Sequence, residues 1–201
     1  MTSQLETIGT NSSFVNLNSI EGVKIDLRYA TTQNFMSRNV YGDFRTAFLH
    51  RDAASMLARA AQSLRRDHLG FSLLIFDALR PRSAQRILWD YVKGTDQERY
   101  VANPDRGSVH NYGCAVDLTV MNREGKELDM GTGFDVFLPL SQPQLEAQFL
   151  ASGELKAEHH QNRLILRSAM VEAGFRQLSH EWWHYDAFSG DEVRKRYQIV
   201  E

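Results

Sequence analysis

The sequence predicts an α+β fold in which one domain packs several helices with a small, mostly antiparallel sheet. Three observations lead to this prediction. The chain has 201 residues, of which 42% are hydrophobic, enough for one sizeable core. Helical periodicity dominates the first half, and the strand patterns that carry polar residues come late. Helices and strands that are segregated along the chain are typical of α+β proteins.

The charge balance excludes some classes of partner. Net charge is -2 and 24% of residues are charged, which gives no reason to expect nucleic acid or an anionic membrane. No apolar run approaches the ~20 residues that span a bilayer. The N-terminus has neither the basic start nor the apolar core of a signal peptide. We therefore expect a cytoplasmic protein, or a periplasmic one if a leader was removed, and the oligomeric state stays open.

The first fifty residues are predicted to be mostly irregular. Residues 1–13 are polar and are expected to form a loose N-terminal segment, apart from any docking by Ile8, ahead of a domain at 14–201. Residues 23–29 alternate apolar and polar side chains, which predicts a short strand. Residues 30–49 contain asparagines and scattered aromatic side chains, and we expect a long ordered loop there.

Two helices are predicted on either side of a buried strand. Asp52 is the expected N-cap of the first helix, and Gly70 follows its end. Residues 71–76 form a compact apolar run, typical of a buried strand. The second helix is expected to start near Ser83. The side chains expected to face inward are Met56, Leu57, Ala60, Ala61, Leu64, Ile87, Leu88, Tyr91 and Val92.

The second half is predicted to hold the remaining sheet. Residues 113–121 form a strand pattern followed by a turn at Gly125, and residues 130–137 form a glycine-containing loop. A third amphipathic helix is expected at 161–173, closed by a glycine, and the final strand within 175–187.

Cys114 is the one cysteine, so an internal disulfide is excluded. It lies within a strand pattern, where a free cysteine is usually a small buried hydrophobic residue. A nucleophilic role is the alternative.

Residues 108–117 suggest two metal ligands. On a strand, Asp117 and Ala115 share one face, and the small Ala115 leaves space beside the carboxylate. The opposite face consists of Val116, Leu118 and Val120. His110 lies on the segment leading into this strand, and Gly113 would let the backbone turn toward the same point. A histidine and an aspartate placed in this way are plausible metal ligands.

A third ligand and a base are available near the C-terminus. A catalytic zinc ion keeps three protein ligands and one water, and a nearby carboxylate takes the proton of that water. His184 is the candidate ligand and Glu181 the candidate base. Residues three apart on a regular strand point to opposite faces. Glu181 should therefore lie in a turn before the strand that carries His184.

Arg80 is the candidate for stabilising the oxyanion of an amide hydrolysis. It follows the buried strand directly, and Pro81 stiffens the exit from it. Each candidate has a simpler explanation: Asp117 could cap a turn, and Arg80 could form a structural ion pair. The other histidines are expected to be structural, namely His50, His68, His159, His160 and His180.

These motifs resemble those of a known family. The pattern Ser-x-His-x-x-Gly-x-Ala-x-Asp at 108–117 and Glu-x-Trp-His at 181–184 resemble the zinc D-alanyl-D-alanine peptidases. That superfamily includes cell-wall carboxypeptidases, phage endolysins and hedgehog signalling domains. Segments 26–35, 77–81 and 130–135 look like the D-alanyl-D-alanine dipeptidase branch known from vancomycin resistance. The resemblance extends from about residue 23 to 185.

The resemblance implies a zinc metalloprotease with one Zn²⁺ per chain, active in peptidoglycan metabolism. Its implied reaction is hydrolysis of free D-Ala-D-Ala to two D-alanines by metal-activated water. Its implied ligands, base and oxyanion stabiliser are His110, Asp117, His184, Glu181 and Arg80. Its implied substrate contacts are Tyr29, Ser108 and Asp135. A free dipeptide is a zwitterion, so Asp135 with Tyr29 suits the ammonium and Ser108 the carboxylate.

Two alternatives stay open. A D,D-carboxypeptidase or endopeptidase acting on peptidoglycan stem peptides would need an open groove. A non-catalytic zinc-binding module would leave Glu181 and Arg80 without a role. The loop at 94–105 looks shorter than in the resistance enzymes, which leaves the cover of the pocket undetermined. Antibiotic resistance, wall recycling and use of D-alanine require the same reaction, so the residues do not distinguish them.

Overall fold

The structure is a computed structural model that describes residues 8–201. Residues 1–7, most of the predicted loose segment, lie outside the described residues. Ile8 is buried in a small apolar cluster with Phe48 and Leu79. Within the described part, no helix is long and apolar enough to cross a membrane.

A five-stranded sheet forms the centre of the molecule, in the order β2-β4-β5-β7-β6. Its strands are β2 (Val23–Ile25), β4 (Ser72–Asp77), β5 (Ala115–Met121), β6 (Arg176–Gln177) and β7 (His184–Asp186). Only the β2–β4 pairing within this sheet is parallel, which confirms the predicted mostly antiparallel sheet. A separate antiparallel pair joins β1 (Phe14–Asn16) and β3 (Phe48–His50).

Helices pack with this sheet to give one α+β domain, as predicted. Those in the described part are α1 (Arg51–Asp67), α2 (Arg82–Val92), α3 (Glu146–Ser152), α4 (Ala157–Glu172) and α5 (Gly190–Arg196). Helix α1 contacts α4 and the strands β3 and β4. One large apolar cluster includes side chains of α1, α2, α4 and the central strands, so the domain has a single main core.

Strand β5 has the two faces that its alternation predicts. Val116, Leu118 and Val120 are fully buried in the main core. Each aliphatic side chain buried in this way contributes roughly 1.5–3 kcal/mol. On the opposite face Asp117 and Thr119 are also buried, because the loop that follows β5 and the turn before β7 cover this side of the sheet. The site face of β5 is therefore inside the protein.

The strand predicted at 23–29 is too long. It ends at Ile25, which is the last residue paired with β4. Residues Arg28–Ala30 form a 3-10 helix instead, with Ala30 N–H donating to the Leu27 carbonyl at 3.0 Å. Tyr29 is buried by this turn. The alternation continued past Ile25 because the turn also buries alternate side chains.

The predicted first helix begins two residues earlier than expected. Its N-cap is His50, whose Nδ1 accepts from the Asp52 backbone N–H at 3.3 Å, so the prediction of Asp52 was wrong. Asp52 lies in the first turn, where an acid is favourable, and accepts from the Tyr197 hydroxyl at 2.7 Å. The prediction for Tyr91 was also wrong: it is 51% exposed, in edge contact with Phe35.

Further differences concern short elements. Cys114 precedes β5 and is not part of it, although it is fully buried. The third predicted helix starts at Ala157 and ends at Glu172. Helices α3 and α5 and the strand pair β1–β3 lie where no element was predicted.

Candidate active site

Three neighbouring elements bring His110, Asp117 and His184 together. Asp117 and His184 are directly paired residues of the antiparallel β5–β7 ladder. His110 lies in the 3-10 helix Val109–Tyr112, which Ser108 caps through a bond from the His110 N–H to its hydroxyl oxygen at 3.3 Å. Gly113 ends that helix in the left-handed region, with φ 64°, so the chain can enter β5 at once. All three side chains are buried.

The donor atoms have the spacing of a tetrahedral metal site. His184 Nδ1 is 2.9 Å from Asp117 Oδ1, and His110 Nε2 is 3.2 Å from His184 Nδ1. His110 Nε2 is 3.4 Å from Asp117 Oδ1. Bonds of about 2.0–2.1 Å at tetrahedral angles place two ligand atoms roughly 3.3 Å apart. Nitrogen and carboxylate donors at this spacing fit a zinc ion.

The second nitrogen of each imidazole has its own acceptor. His110 Nδ1 is 2.7 Å from the Ala78 carbonyl oxygen, and His184 Nε2 is 3.0 Å from Asp186 Oδ1. If these nitrogens carry the protons, His110 Nε2 and His184 Nδ1 present lone pairs to one point. Such outer hydrogen bonds orient metal-binding histidines.

The charges around the cluster of His110, Asp117 and His184 favour a bound cation. Burial raises the pKa of Asp117, but His110 and His184 outweigh it and the pKa falls well below the usual range. Burial lowers the pKa of His184, but Asp186 and Asp117 outweigh it and the pKa rises well above the usual value. A protonated His184 or a metal ion satisfies this field, since both bring positive charge to the carboxylates.

Arg80 is held beside the cluster by a buried network. Its Nε and Nη2 lie 2.8 and 2.7 Å from Asp77 Oδ2, and its Nη1 donates to Gln85 Oε1 at 2.9 Å. Nη2 is also 3.5 Å from Asp117 Oδ2. Burial opposes the charge of Arg80, but Asp77 raises its pKa well above the usual value. Arg80 thus forms an ion pair and also lines the cavity.

Glu181 lies outside the strand that carries His184, as predicted. It precedes β7 in the turn region, and the next residue, Trp182, donates its N–H to the Ser141 carbonyl at 3.1 Å. The side chain is buried, and burial raises its pKa to about 8, against a lowering by His184. A carboxyl group with a raised pKa in a cavity suits proton transfer near neutral pH.

Asp135 and Tyr29 form a buried pair on another wall. The Tyr29 hydroxyl donates to Asp135 Oδ1 at 3.1 Å, and the Phe35 N–H donates to Oδ2 at 3.4 Å. Asp135 has φ 59°, a conformation that aspartate tolerates better than most residues. Burial, with a contribution from Asp117, raises the pKa of Asp135 well above its usual value. A cationic ligand group would relieve the cost of ionising it.

All the predicted site residues line one cavity of about 410 Å³. Its predicted lining residues are Tyr29, Arg80, Ser108, His110, Asp117, Asp135, Glu181 and His184. His180, expected to be structural, also lines this cavity, 5.8 Å from the ring of Tyr100.

Sequence reasoning missed several residues around the cavity. Asp186 could have been found, because it lies two residues after His184 and so shares its face of the strand. Asp77 belongs to a segment that the resemblance had already marked. Arg99 and Arg106 also line the cavity, and no sequence pattern indicates them.

Comparison with known proteins gives a consistent result. The family described as D-ala-D-ala dipeptidase matches residues 10–200. A protein of Escherichia coli (strain K12) is 34% identical over 164 residues, covering 82% of this chain and 78% of its own. Proteins of Enterococcus faecalis and Streptomyces coelicolor are 31% and 32% identical, each over 83% of this chain and 86% of their own. All three are named D-alanyl-D-alanine dipeptidase.

Proposed function

This chain belongs to the D-Ala-D-Ala dipeptidase family, and we propose that its residues 14–201 form a zinc dipeptidase that hydrolyses free D-Ala-D-Ala to two D-alanines. One observation carries the proposal. Three buried donor atoms with tetrahedral spacing lie in a cavity that also holds a buried acid, Asp135, suited to an ammonium group.

His110, Asp117 and His184 would hold the metal through Nε2, Oδ1 and Nδ1. Zinc is the metal we propose, because two imidazoles and one carboxylate suit it better than calcium or magnesium, which prefer oxygen ligands. When bound in such a site, zinc polarises a carbonyl group and lowers the pKa of water.

Glu181 is the proposed general base. It takes a proton from the water whose oxygen attacks the peptide carbonyl carbon. As the C–N bond breaks, Glu181 passes that proton to the leaving amino group. Its burial supports this role, because a carboxyl group with a pKa of about 8 exchanges protons readily near neutral pH.

Arg80 is the proposed stabiliser of the oxyanion that forms on the carbonyl oxygen. The Asp77 and Gln85 contacts fix its guanidinium before substrate arrives, so little reorganisation is needed during the reaction. A preorganised donor of this kind typically contributes a factor of ~10²–10³ in rate.

Asp135 and Tyr29 are proposed to select substrates with a free N-terminus. An ammonium group pairs with the buried Asp135 carboxylate, whereas a blocked N-terminus leaves that acid without a cation. A site built around such a pair rejects substrates that lack the charged group. Ser108 is the proposed donor to the other end of the dipeptide.

The direct test is D-alanine release by the zinc-loaded protein. We expect release from D-Ala-D-Ala and little from N-acetyl-D-Ala-D-Ala or from a longer stem peptide. Cleavage of the stem peptide without cleavage of the dipeptide would contradict the proposal and favour a D,D-carboxypeptidase or endopeptidase.

A further inference from the structure

The substrate's carboxylate needs a partner that the proposed contacts do not fully supply. This inference rests on the proposed dipeptidase function. With the ammonium at Asp135, the carboxylate of an extended dipeptide lies about 7 Å further along, since each residue spans up to ~3.3–3.6 Å. Ser108 offers one hydroxyl proton, because its oxygen already accepts from the His110 N–H. A single neutral donor compensates poorly for removing a carboxylate from water.

The cavity that Ser108 lines also carries two arginines for which the described residues show no acidic partner. Arg99 and Arg106 line the cavity and are exposed. Within residues 8–201 neither forms an ion pair with a carboxylate, whereas the other arginines of the cavity do. Arg80 is bound to Asp77.

Arg194 is bound to Asp191 at 2.7 Å. The same Arg194 guanidinium lowers the pKa of Asp191, with a smaller contribution from Arg106. Asp191 is thus already paired and leaves the Arg106 guanidinium available to a ligand.

Arg99 is held over an aromatic stack. Its guanidinium carbon lies 5.1 Å from the centre of the Tyr100 ring, and that ring stacks on Phe137 at 4.7 Å. A guanidinium beside an aromatic ring can still bind a planar anion such as a carboxylate through its N–H groups in a two-point contact.

Arg106 lies in a hydrogen-bonded turn that leads to Ser108. The N–H groups of Arg106 and Gly107 both donate to the Asn103 carbonyl, at 3.1 and 3.0 Å. Gly107 has φ 81°, and an added Cβ would lie 2.9 Å from Ile199 Cδ1, so this position requires glycine. The turn is therefore fixed, and Arg106 stands two residues before the proposed substrate contact Ser108.

We propose that Arg99 and Arg106 form the recognition site for the substrate's free C-terminal carboxylate, together with the Ser108 hydroxyl. They would add two charge-assisted contacts to one neutral donor, which is the combination that makes a free carboxylate preferable to an amide or an extended chain. Both ends of the dipeptide are then paired, Asp135 with the ammonium and the two arginines with the carboxylate.

The test compares D-Ala-D-Ala with D-alanyl-D-alaninamide, which lacks the carboxylate charge. Wild type, both single variants, Arg99→Gln/Arg106→Gln and the control Arg123→Gln are assayed in the zinc-loaded state. Arg123 is exposed, bound to Glu124 and outside the cavity. We expect the double variant to lose about 10- to 100-fold in kcat/KM for the acid, mainly through KM, and little for the amide. Equal unfolding midpoints show that the variants are folded.

An unchanged ratio of acid to amide in the double variant overturns the proposal, as does an equal loss on both substrates. Loss in the control as well would mean that general charge and not this site sets the preference, which also overturns it. Wild type is measured first. If it cleaves a longer stem peptide and not the dipeptide, the proposed function itself fails, and the carboxylate site fails with it.

Discussion

Glu181 is a buried acid that we propose as the general base. The fold buries its carboxyl group, and within residues 8–201 its one ion-pair contact is from Oε1 to His180 Nε2 at 3.9 Å. We expect Glu181→Gln to retain zinc and unfold at the same or a higher temperature, while turnover falls by roughly 10²–10⁴-fold. Zinc per chain and D-alanine release are the measurements, with the exposed Glu124→Gln as control. Retained turnover would favour the non-catalytic zinc-binding module.

Asp135 is the residue that we propose to select substrates with a free ammonium group. Asparagine keeps the shape and tolerates the φ of 59°, so Asp135→Asn isolates the charge. We expect kcat/KM for D-Ala-D-Ala to fall by at least roughly 100-fold, because a charge-assisted contact is lost. Asp129→Asn is the matched control, since Asp129 lies in the same loop with a 73% exposed side chain. Activity on a stem peptide that survives the loss of Asp135 would favour the endopeptidase alternative.

Cys114 is expected to be inert. Burial raises the pKa of its thiol to about 12, so the nucleophilic thiolate is scarce at neutral pH. A thiol reagent such as DTNB should label the native protein slowly and the denatured protein fully, and Cys114→Ala should keep its activity. Rapid labelling of native protein together with loss of activity in Cys114→Ala would revive the nucleophile hypothesis.

The residues that stand in a motif could be predicted from the sequence, but some residues that hydrogen-bond to them could not. His110, Asp117, His184 and Glu181 stand in recognisable patterns, and the structure brings them together. Gln85 lies in helix α2, five residues after Arg80, and its side chain accepts a hydrogen bond from the Arg80 guanidinium. No pattern in the surrounding sequence predicts that contact. Such partners depend on the three-dimensional path of the backbone.

The turn into β5 is the element on which the geometry of the site depends. A Cβ on Gly113 would lie 2.9 Å from the backbone nitrogen of His50, and the φ of 64° adds strain. Gly153 has φ 80° but open space around it, so Gly153→Ala measures the strain alone. We expect Gly153→Ala to cost about 1–2 kcal/mol of unfolding free energy. Gly113→Ala should cost clearly more and weaken zinc binding.

Denaturant unfolding and zinc titration of both variants are the measurements. Equal costs in the two variants, with zinc affinity unchanged, would show that the approach of Gly113 to His50 does not constrain the site.

Helices and strands were predicted correctly where they are long enough for the hydrophobic pattern to repeat. Helix α1 spans 17 residues and β5 spans 7, so their faces could be assigned from the sequence. Strands β2 and β6 have 3 and 2 residues, too few for alternation to mark their ends. Helix α5 did carry a readable signal, since Ser189 caps it and acids and bases occupy its first and last turns.

The whole molecule should depend on its metal for stability. His110 and Asp117 lie 74 and 67 residues before His184 along the chain, and the three proposed ligands meet in one buried cluster. An ion bound there would link the segment before β5, β5 itself and β7. Saturation at ~1,000-fold over Kd adds about 4 kcal/mol, which corresponds to roughly 10 °C in Tm for a chain of this size. Removal of zinc with a chelator should lower Tm by that order and abolish turnover, and added zinc should restore both.

His110→Ala is the control for this effect, and its Tm should respond little to the chelator. An unchanged Tm in wild type after metal removal would show that the cluster does not bind a metal in the folded state.

The fold class could be predicted from the sequence, but the lining of the cavity could not. Composition and the order of elements predicted one α+β domain, and the structure confirms it. The segment at 99–108 forms one side of the cavity through turns and a 3-10 helix, and such irregular backbone has no periodic signature. The size and charge of the pocket therefore emerged only from the structure.

The most direct test of the central claim is a crystal structure of the zinc-loaded protein with a phosphinate mimic of D-Ala-D-Ala, using anomalous scattering at the zinc edge. We expect one anomalous peak bonded to His110 Nε2, Asp117 Oδ1 and His184 Nδ1. We also expect the ammonium of the mimic at Asp135 and Glu181 beside the phosphinate. A peak elsewhere, or a mimic bound away from this cavity, would contradict the proposed zinc dipeptidase site.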